Sequence, residues 1–147
     1  MALQENIDYV FYEKGTMMNY KQPMKNVTVV VVSTKNYVFY VPLKTVGTFG
    51  FFNTIKTHQY FDGVSIPEGV QKIIANAESV DALEKSMIAL LEDDDKYVHK
   101  IADKNSFKFK GFLGRHTLRM ATSKTKWSSI YANGKKQSKA FRTFHGQ

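Results

Sequence analysis

The chain contains no cysteine. It can therefore form neither a disulfide nor a thiolate zinc site, and a cysteine nucleophile is excluded. The absence suits a reducing cytoplasm, which is the compartment we expect, although many secreted bacterial proteins share it. The first ten residues, MALQENIDYV, have no basic stretch followed by an apolar run, so they do not predict a secretory signal. The apolar run around Val29–Val32 is too short to span a bilayer.

Acidic residues are almost absent after residue 95, which makes the charge of the chain one-sided. Residues 96–147 contain thirteen lysines and arginines against one acid, Asp103, a balance of +12. Residues 1–95 have a balance of −4, and the whole chain carries +8. A one-sided cationic surface attracts anions, such as phosphodiester backbones, lipid headgroups or an acidic protein face.

Length and composition predict one domain over residues 1–147. The chain is 43% apolar, which is enough to bury a core at this length. Eleven phenylalanines and eight tyrosines are typical of β-structure packed on a core.

The first half of the sequence reads as strands. An apolar and aromatic run predicts a strand over Ile7–Tyr12, followed by a loop over Gly15–Pro23. Two β-branched and aromatic runs, Val27–Ser33 and Tyr37–Leu43, predict a hairpin. The glycine- and phenylalanine-rich segment 44–63 predicts irregular structure, with one strand inside it over 53–61.

The middle of the sequence is helical. Ser65 is followed by Pro67 and Glu68, which is the capping-box pattern at the start of a helix. Ser79 opens a second apolar stripe at helical spacing. Residues 94–103 keep that spacing and predict a third helical segment, or a continuation of the second, with Asp93–Asp95 in its first turn. A strand over 96–102 is the alternative.

The last third returns to strands. Phe107 and Phe109 alternate with lysines, which predicts a strand over Ser106–Phe112 with one wet face. Further strands are predicted over Thr117–Thr122, Trp127–Ala132 and Ser138–Phe144, the last two joined by an Asn133-Gly134 hairpin turn.

These elements predict an α+β fold. Two antiparallel strand or hairpin blocks, forming a curved sheet or an open barrel, flank a central helical segment of two to three helices.

The basic region is the candidate site, because several of its cations would share one face of paired strands. Trp127 adds an aromatic ring of the kind that stacks on bases. The predicted anion-binding residues are Lys108, Lys110, Arg115, Arg119, Lys124, Lys126, Trp127, Lys135, Lys136, Lys139 and Arg142. The alternative is that these lysines solubilise the outer face of a sheet or protect its edges.

Catalytic and metal sites have little support in the sequence. His58 with Asp62 and His99 with Asp103 have a spacing that would share one side of a helix, but two ligands do not make a site. His145 lies among lysines, whose charge should lower its pKa. We therefore predict no catalytic residue, metal or cofactor.

The sequence favours a non-enzymatic binding module for an anionic partner, either a nucleic acid or an acidic protein. One alternative is a self-associating structural or interaction domain that uses sheet edges or the aromatic segment 47–61, and would form homo-oligomers. Binding to anionic lipid is a second alternative, less favoured because no basic amphipathic helix is predicted. An enzyme is the weakest hypothesis.

Overall fold

The computed structural model describes residues 2–19, 27–43, 64–112, 115–122, 126–130 and 135–147. Within these ranges the strands are β1 (Val10–Asn19), β2 (Val27–Ser33), β3 (Tyr37–Pro42), β4 (Val98–Lys100), β5 (Ser106–Phe112), β6 (Arg115–Ala121) and β7 (Lys126–Ile130). The helices are α1 (Ile66–Asn76), α2 (Val80–Leu90) and α3 (Lys135–Phe144), with a 3₁₀ turn at Ile101–Asp103.

The seven strands form one antiparallel sheet in the order β4-β3-β2-β1-β7-β6-β5. Helices α1 and α2 lie in the chain between the two strand blocks, which confirms the predicted α+β class. The outer strands of this sheet are β4 and β5, so these strands form an open sheet.

Strand β1 begins at Val10, three residues later than predicted, and it is longer, so the loop predicted from Gly15 is wrong as far as Asn19. The strand has an irregular step between Tyr12 and Gly15 and then continues, with Gly15 opposite Val29. The polar sequence around this step has little intrinsic β-preference. Pairing makes the continuation a strand: Gly15 pairs with β2, Thr16 and Met17 pair with both β2 and β7, and the last two residues pair with β7.

The predicted hairpin of β2 and β3 is confirmed, with Val30 opposite Val41 and Val32 opposite Phe39. Residues 29–32 and 38–41 are all fully buried. A run of consecutive buried residues, rather than alternate ones, means that both faces of the sheet are covered at this point. In the turn, the Thr34 hydroxyl accepts hydrogen bonds from the backbone N–H groups of Asn36 and Tyr37, at 3.2 and 3.1 Å.

Both predicted helix starts are confirmed. The Ser65 hydroxyl accepts a hydrogen bond from the Glu68 N–H at 3.4 Å, and the Ser79 hydroxyl accepts one from the Ala82 N–H at 3.0 Å. Each helix buries one stripe, which comprises Val70, Ile73 and Ile74 in α1 and Leu83, Met87 and Leu90 in α2.

The third helical segment predicted over 94–103 is wrong, and the alternative of a strand is correct over Val98–Lys100. The chain leaves α2 through Glu92 and Asp93, whose φ angles of 54° and 50° are left-handed and end the helix. Residues 95–97 form a turn and not a helix, and in this turn the Asp94 carboxylate accepts a hydrogen bond from the Lys96 N–H. Val98, one of the apolar residues of the predicted helix, lies instead in β4, which pairs with β3.

The strand predicted over Ser138–Phe144 is also wrong, because these residues lie in helix α3. This helix has exposed basic residues on one side and buried residues on the other, so the ground on which anionic lipid was less favoured, that no basic amphipathic helix is predicted, is wrong as well. The buried residues Ser138, Phe141 and Phe144 recur every three positions, which fits one helical face and not the two-residue repeat of a strand. Residues 133 and 134 lie outside the described residues. With a helix beginning at Lys135, however, no β7 hairpin with residues 138–144 exists.

Segment 44–63, with the strand predicted over 53–61, lies outside the described residues. None of the helices in the described part of the chain is long and apolar enough to cross a membrane.

The position of β1 predicts that Met17 is a core residue. Met17 is only 3% exposed, whereas Met18 is half-buried. Met17→Ala should lower the free energy of unfolding by about 2–5 kcal/mol, and Met18→Ala by clearly less. Urea unfolding followed by circular dichroism measures both variants. Losses within about 0.5 kcal/mol for both would instead indicate that residues 15–19 form a surface loop.

Candidate functional site

The hairpin of β5 and β6 separates apolar from basic side chains by simple alternation. Phe109, Leu118 and Met120 are buried on one face, while Lys108, Lys110 and Arg119 are exposed on the other. This arrangement confirms the predicted wet face of the 106–112 strand.

Lys108 and Arg119 stand directly opposite each other in the register of β5 and β6. Directly opposed residues of an antiparallel pair have Cβ atoms about 4.5–5.5 Å apart, and like charges in this position destabilise the sheet. Lys110 lies two residues further along β5 on the same face. We call these three residues, Lys108, Lys110 and Arg119, the sheet triad.

No acid neutralises the sheet triad within the described residues. The ion pair found there joins Lys85 and Asp81 of α2, at 3.0 Å between Nζ and Oδ2, and it is largely exposed. The sheet therefore holds three adjacent positive charges that repel one another.

A second group of predicted cations lies on α3. Lys136, Lys139 and Arg142 are exposed on its outer side, while Phe141 packs on the sheet with its ring centroid 6.4 Å from that of Phe109. Phe109 points away from the face of the sheet triad. The sheet thus separates the two groups of cations, which the predicted strand over 138–144 would have placed on one sheet.

The structure places the remaining predicted residues through their backbone. Arg115 begins β6, Lys126 begins β7 opposite Ala121, and Trp127 is opposite the buried Met120. Lys135 begins α3. Lys124 lies outside the described residues. Residue 128, and not residue 127, is the position opposite Arg119. By register, Trp127 therefore belongs with the buried Met120 and not with the sheet triad.

His99 and Asp103, the pair that lies within the described residues, do not form the predicted shared helix face. His99 is fully buried on β4, and its Nε2 atom lies 2.8 Å from the carbonyl oxygen of Lys96. Asp103 is exposed in the 3₁₀ turn, so the two residues share no helix face. Burial, reinforced by the charge of Lys104, lowers the pKa of His99 to about 3. His58 and Asp62 lie outside the described residues.

A polar cluster that the sequence did not indicate anchors the end of α3 to the β2–β3 turn. The Nε2 atom of His145 lies 2.8 Å from Oγ of Ser33, and the Lys35 ammonium donates to the Phe144 carbonyl oxygen while lying 3.9 Å from the centroid of the Phe144 ring. These partners are more than a hundred residues apart, so no local pattern could reveal them.

The Ser33–His145 pair is structural and not a nucleophile with its base. Ser33 is fully buried, and its hydroxyl also lies 3.0 Å from the carbonyl oxygens of Thr34 and Tyr37. When the hydroxyl donates to one of these carbonyls, the His145 Nε2–H donates to Ser33 Oγ. Burial is the larger cause, and Lys35 the smaller, of a His145 pKa lowered to about 4. The predicted direction is correct, but the charge comes from the β2–β3 turn.

No group of histidine, aspartate or glutamate side chains among the described residues could hold a metal ion. Comparison with known proteins gives no further assignment: no family model matches the chain, and neither a curated protein nor a solved structure is significantly similar to it.

The two lowered histidine pKa values predict a loss of stability in mild acid. Unfolded histidine binds a proton below a pKa near 6.5, whereas folded His99 and His145 resist protonation down to about 3 and 4. Their contribution is therefore complete above pH 6.5 and lost as the pH falls towards the folded values. Well below pH 6.5, a fully buried histidine such as His99 should remove about 1.4 kcal/mol per pH unit.

Urea midpoints between pH 7.5 and 5.5 test this prediction, since carboxyl groups titrate mainly below that range. The urea concentration at the midpoint should decrease as the pH is lowered below 6.5, and this decrease should be smaller in a His145→Asn variant. A midpoint that stays constant down to pH 5.5 would contradict the burial of both rings.

Proposed function

We propose that this protein is a non-enzymatic binding module that holds an anionic partner, a nucleic acid or an acidic protein, on the sheet triad. The observation that carries the proposal is the cross-strand pair of Lys108 and Arg119, which has no acid beside it within the described residues. Such a pair costs stability in the free protein. A bound anion would remove the repulsion, so the same arrangement favours the complex.

Edge protection explains only part of this surface. Lysines on an edge strand hinder pairing with other chains, and this would account for Lys108 and Lys110 on β5. Arg119 lies on β6, which has β5 on one side and β7 on the other. An interior strand needs no such protection, so Arg119 favours binding over protection.

Self-association through segment 47–61 stays a prediction, because that segment lies outside the described residues. Self-association through a sheet edge predicts a dimer whose formation does not depend on added anions. Light scattering at micromolar concentrations, with and without a polyanion, separates this alternative from the proposal.

Two charge reversals of equal size can test where a polyanion binds. Lys108→Glu/Lys110→Glu changes the sheet triad, and Lys136→Glu/Lys139→Glu changes exposed α3 residues on the other side of the sheet. Both variants lower the net charge by the same amount. We expect the first to abolish binding of heparin or a random-sequence oligonucleotide at about 50 mM salt, and the second to weaken it only a few-fold.

The salt dependence gives an independent measure. If the sheet triad neutralises three phosphates of duplex DNA, log K should fall with log salt at a slope of about −2.7. Equal weakening by the two double variants would show that net charge, and not the sheet triad, determines binding. Urea unfolding of each variant serves as the control: Lys136→Glu/Lys139→Glu should change stability by about 0.5 kcal/mol or less, whereas Lys108→Glu/Lys110→Glu should raise it by up to about 1 kcal/mol, because a glutamate at position 108 would stand opposite Arg119.

A further inference from the structure

The side-chain amide of Gln147 is bound to the outer edge of β5. The Phe109 N–H donates to Gln147 Oε1 at 3.1 Å, and Gln147 Nε2 donates to the Phe107 carbonyl oxygen at 3.0 Å. One residue of a strand added in parallel would make the same pair of bonds, because its C=O would accept from the Phe109 N–H and its N–H would donate to the Phe107 carbonyl oxygen. Gln147 therefore occupies the place of a neighbouring strand at one position.

The end of α3 holds Gln147 in this place. Gly146 has a φ of 73°, the Gln147 N–H donates to the Arg142 carbonyl at 2.8 Å, and the Gly146 N–H donates to the Thr143 carbonyl at 3.1 Å. These bonds form the Schellman motif that ends many helices. Next to it, the His145 ring lies with its centroid 4.9 Å from that of Phe107. The contact with β5 is thus part of an ordered helix end.

We propose that the β5 edge binds an extended acidic segment of a partner protein by strand addition, in place of the Gln147 amide. This inference rests on the proposed function, because it names the partner of the sheet triad. Main-chain bonds to the edge would supply affinity, and side-chain contacts would supply specificity. A nucleic acid has no peptide backbone, so it could contact the lysines but could not repeat the strand pattern of donors and acceptors along the β5 edge.

The charge of β5 determines which residues the partner needs. Successive side chains of a strand point to opposite faces, so Lys108 and Lys110 repeat every two residues along the edge. Acidic residues at every second position of an added strand would repeat at the same interval and lie beside these lysines. On the opposite face the half-buried Phe107 favours apolar residues in between. The expected segment alternates acidic and apolar residues.

The probe for this proposal is a fluorescein-labelled peptide of four Glu-Val repeats, measured against the full chain by fluorescence anisotropy. A second peptide has the same sequence and charge, but alternate backbone nitrogens are methylated on the side that would face β5. Strand addition predicts that methylation weakens binding at least about tenfold, since the bonds to the edge are lost. Purely electrostatic binding predicts equal affinities for the two peptides.

Removal of the competing amide gives the matched protein variant. Gln147→Ala frees the edge, so the Glu-Val peptide should bind about 3–10-fold more tightly, because a larger fraction of the protein is competent to bind. Gln71→Ala, at an exposed position of α1, is the control and should change nothing. Lys108→Glu/Lys110→Glu should abolish binding of the same peptide.

The hydrogen-exchange rate of the Phe109 N–H shows directly whether this group is hydrogen-bonded, and it does not depend on measuring the peptide's affinity. The N–H should exchange faster in Gln147→Ala than in the parent, and the Glu-Val peptide should restore its protection. If methylation and Gln147→Ala both leave binding unchanged while Lys108→Glu/Lys110→Glu abolishes it, strand addition is overturned and the proposed function stands. Binding of the oligonucleotide but of neither peptide also overturns strand addition. Peptide binding that survives the lysine reversal overturns the role of the sheet triad itself.

Discussion

The pairing of β1 on both sides is the constraint on which the rest of the structure depends. Thr16 and Met17 lie opposite Thr28 and Val27 of β2, and the same two residues lie opposite Ile130 and Ser129 of β7. This double pairing joins the strands before the helices to the strands after them. Beyond the irregular step it also fixes which positions share a face, because one register runs from Thr28 of β2 through Thr16 of β1 to β7 and on to the basic hairpin.

Elements with strong local signals could be predicted from the sequence, and those made by tertiary contacts could not. The valine-rich strand β2 and the helix caps at Ser65 and Ser79 depend on neighbouring residues alone, and they were predicted correctly. Gly15 and Thr16 of β1 belong to no apolar repeat, so only their partners make them part of a strand. Helix α3 has polar residues at most positions, and its three-residue repeat becomes meaningful only once the sheet is there to cover it.

The site shows the same division. Alternation around Phe107 and Phe109 was enough to place Lys108 and Lys110 on a wet face. Arg119 stands opposite Lys108 because of the register of the hairpin, and this register could not be predicted from the composition of the two strands. The error over residues 138–144 had the larger effect, because it merged two groups of cations that the sheet keeps apart. The contacts of His145 with Ser33 and of Gln147 with β5 join residues far apart in the chain, so only the fold brings them together.

The double pairing of β1 also fixes the order in which the protein can be completed during synthesis. One partner of Met17 is ten residues away, whereas the other, Ser129, is made 112 residues later. At a synthesis rate of about 5–20 residues per second, the edge of β1 that pairs with β7 stays unpaired for roughly 6–22 s. An unpaired edge invites pairing with other chains, and charged residues and irregular steps hinder it. Strand β1, whose edge stays unpaired longest, has both features, because the exposed charged residues Glu13 and Lys14 lie at its irregular step.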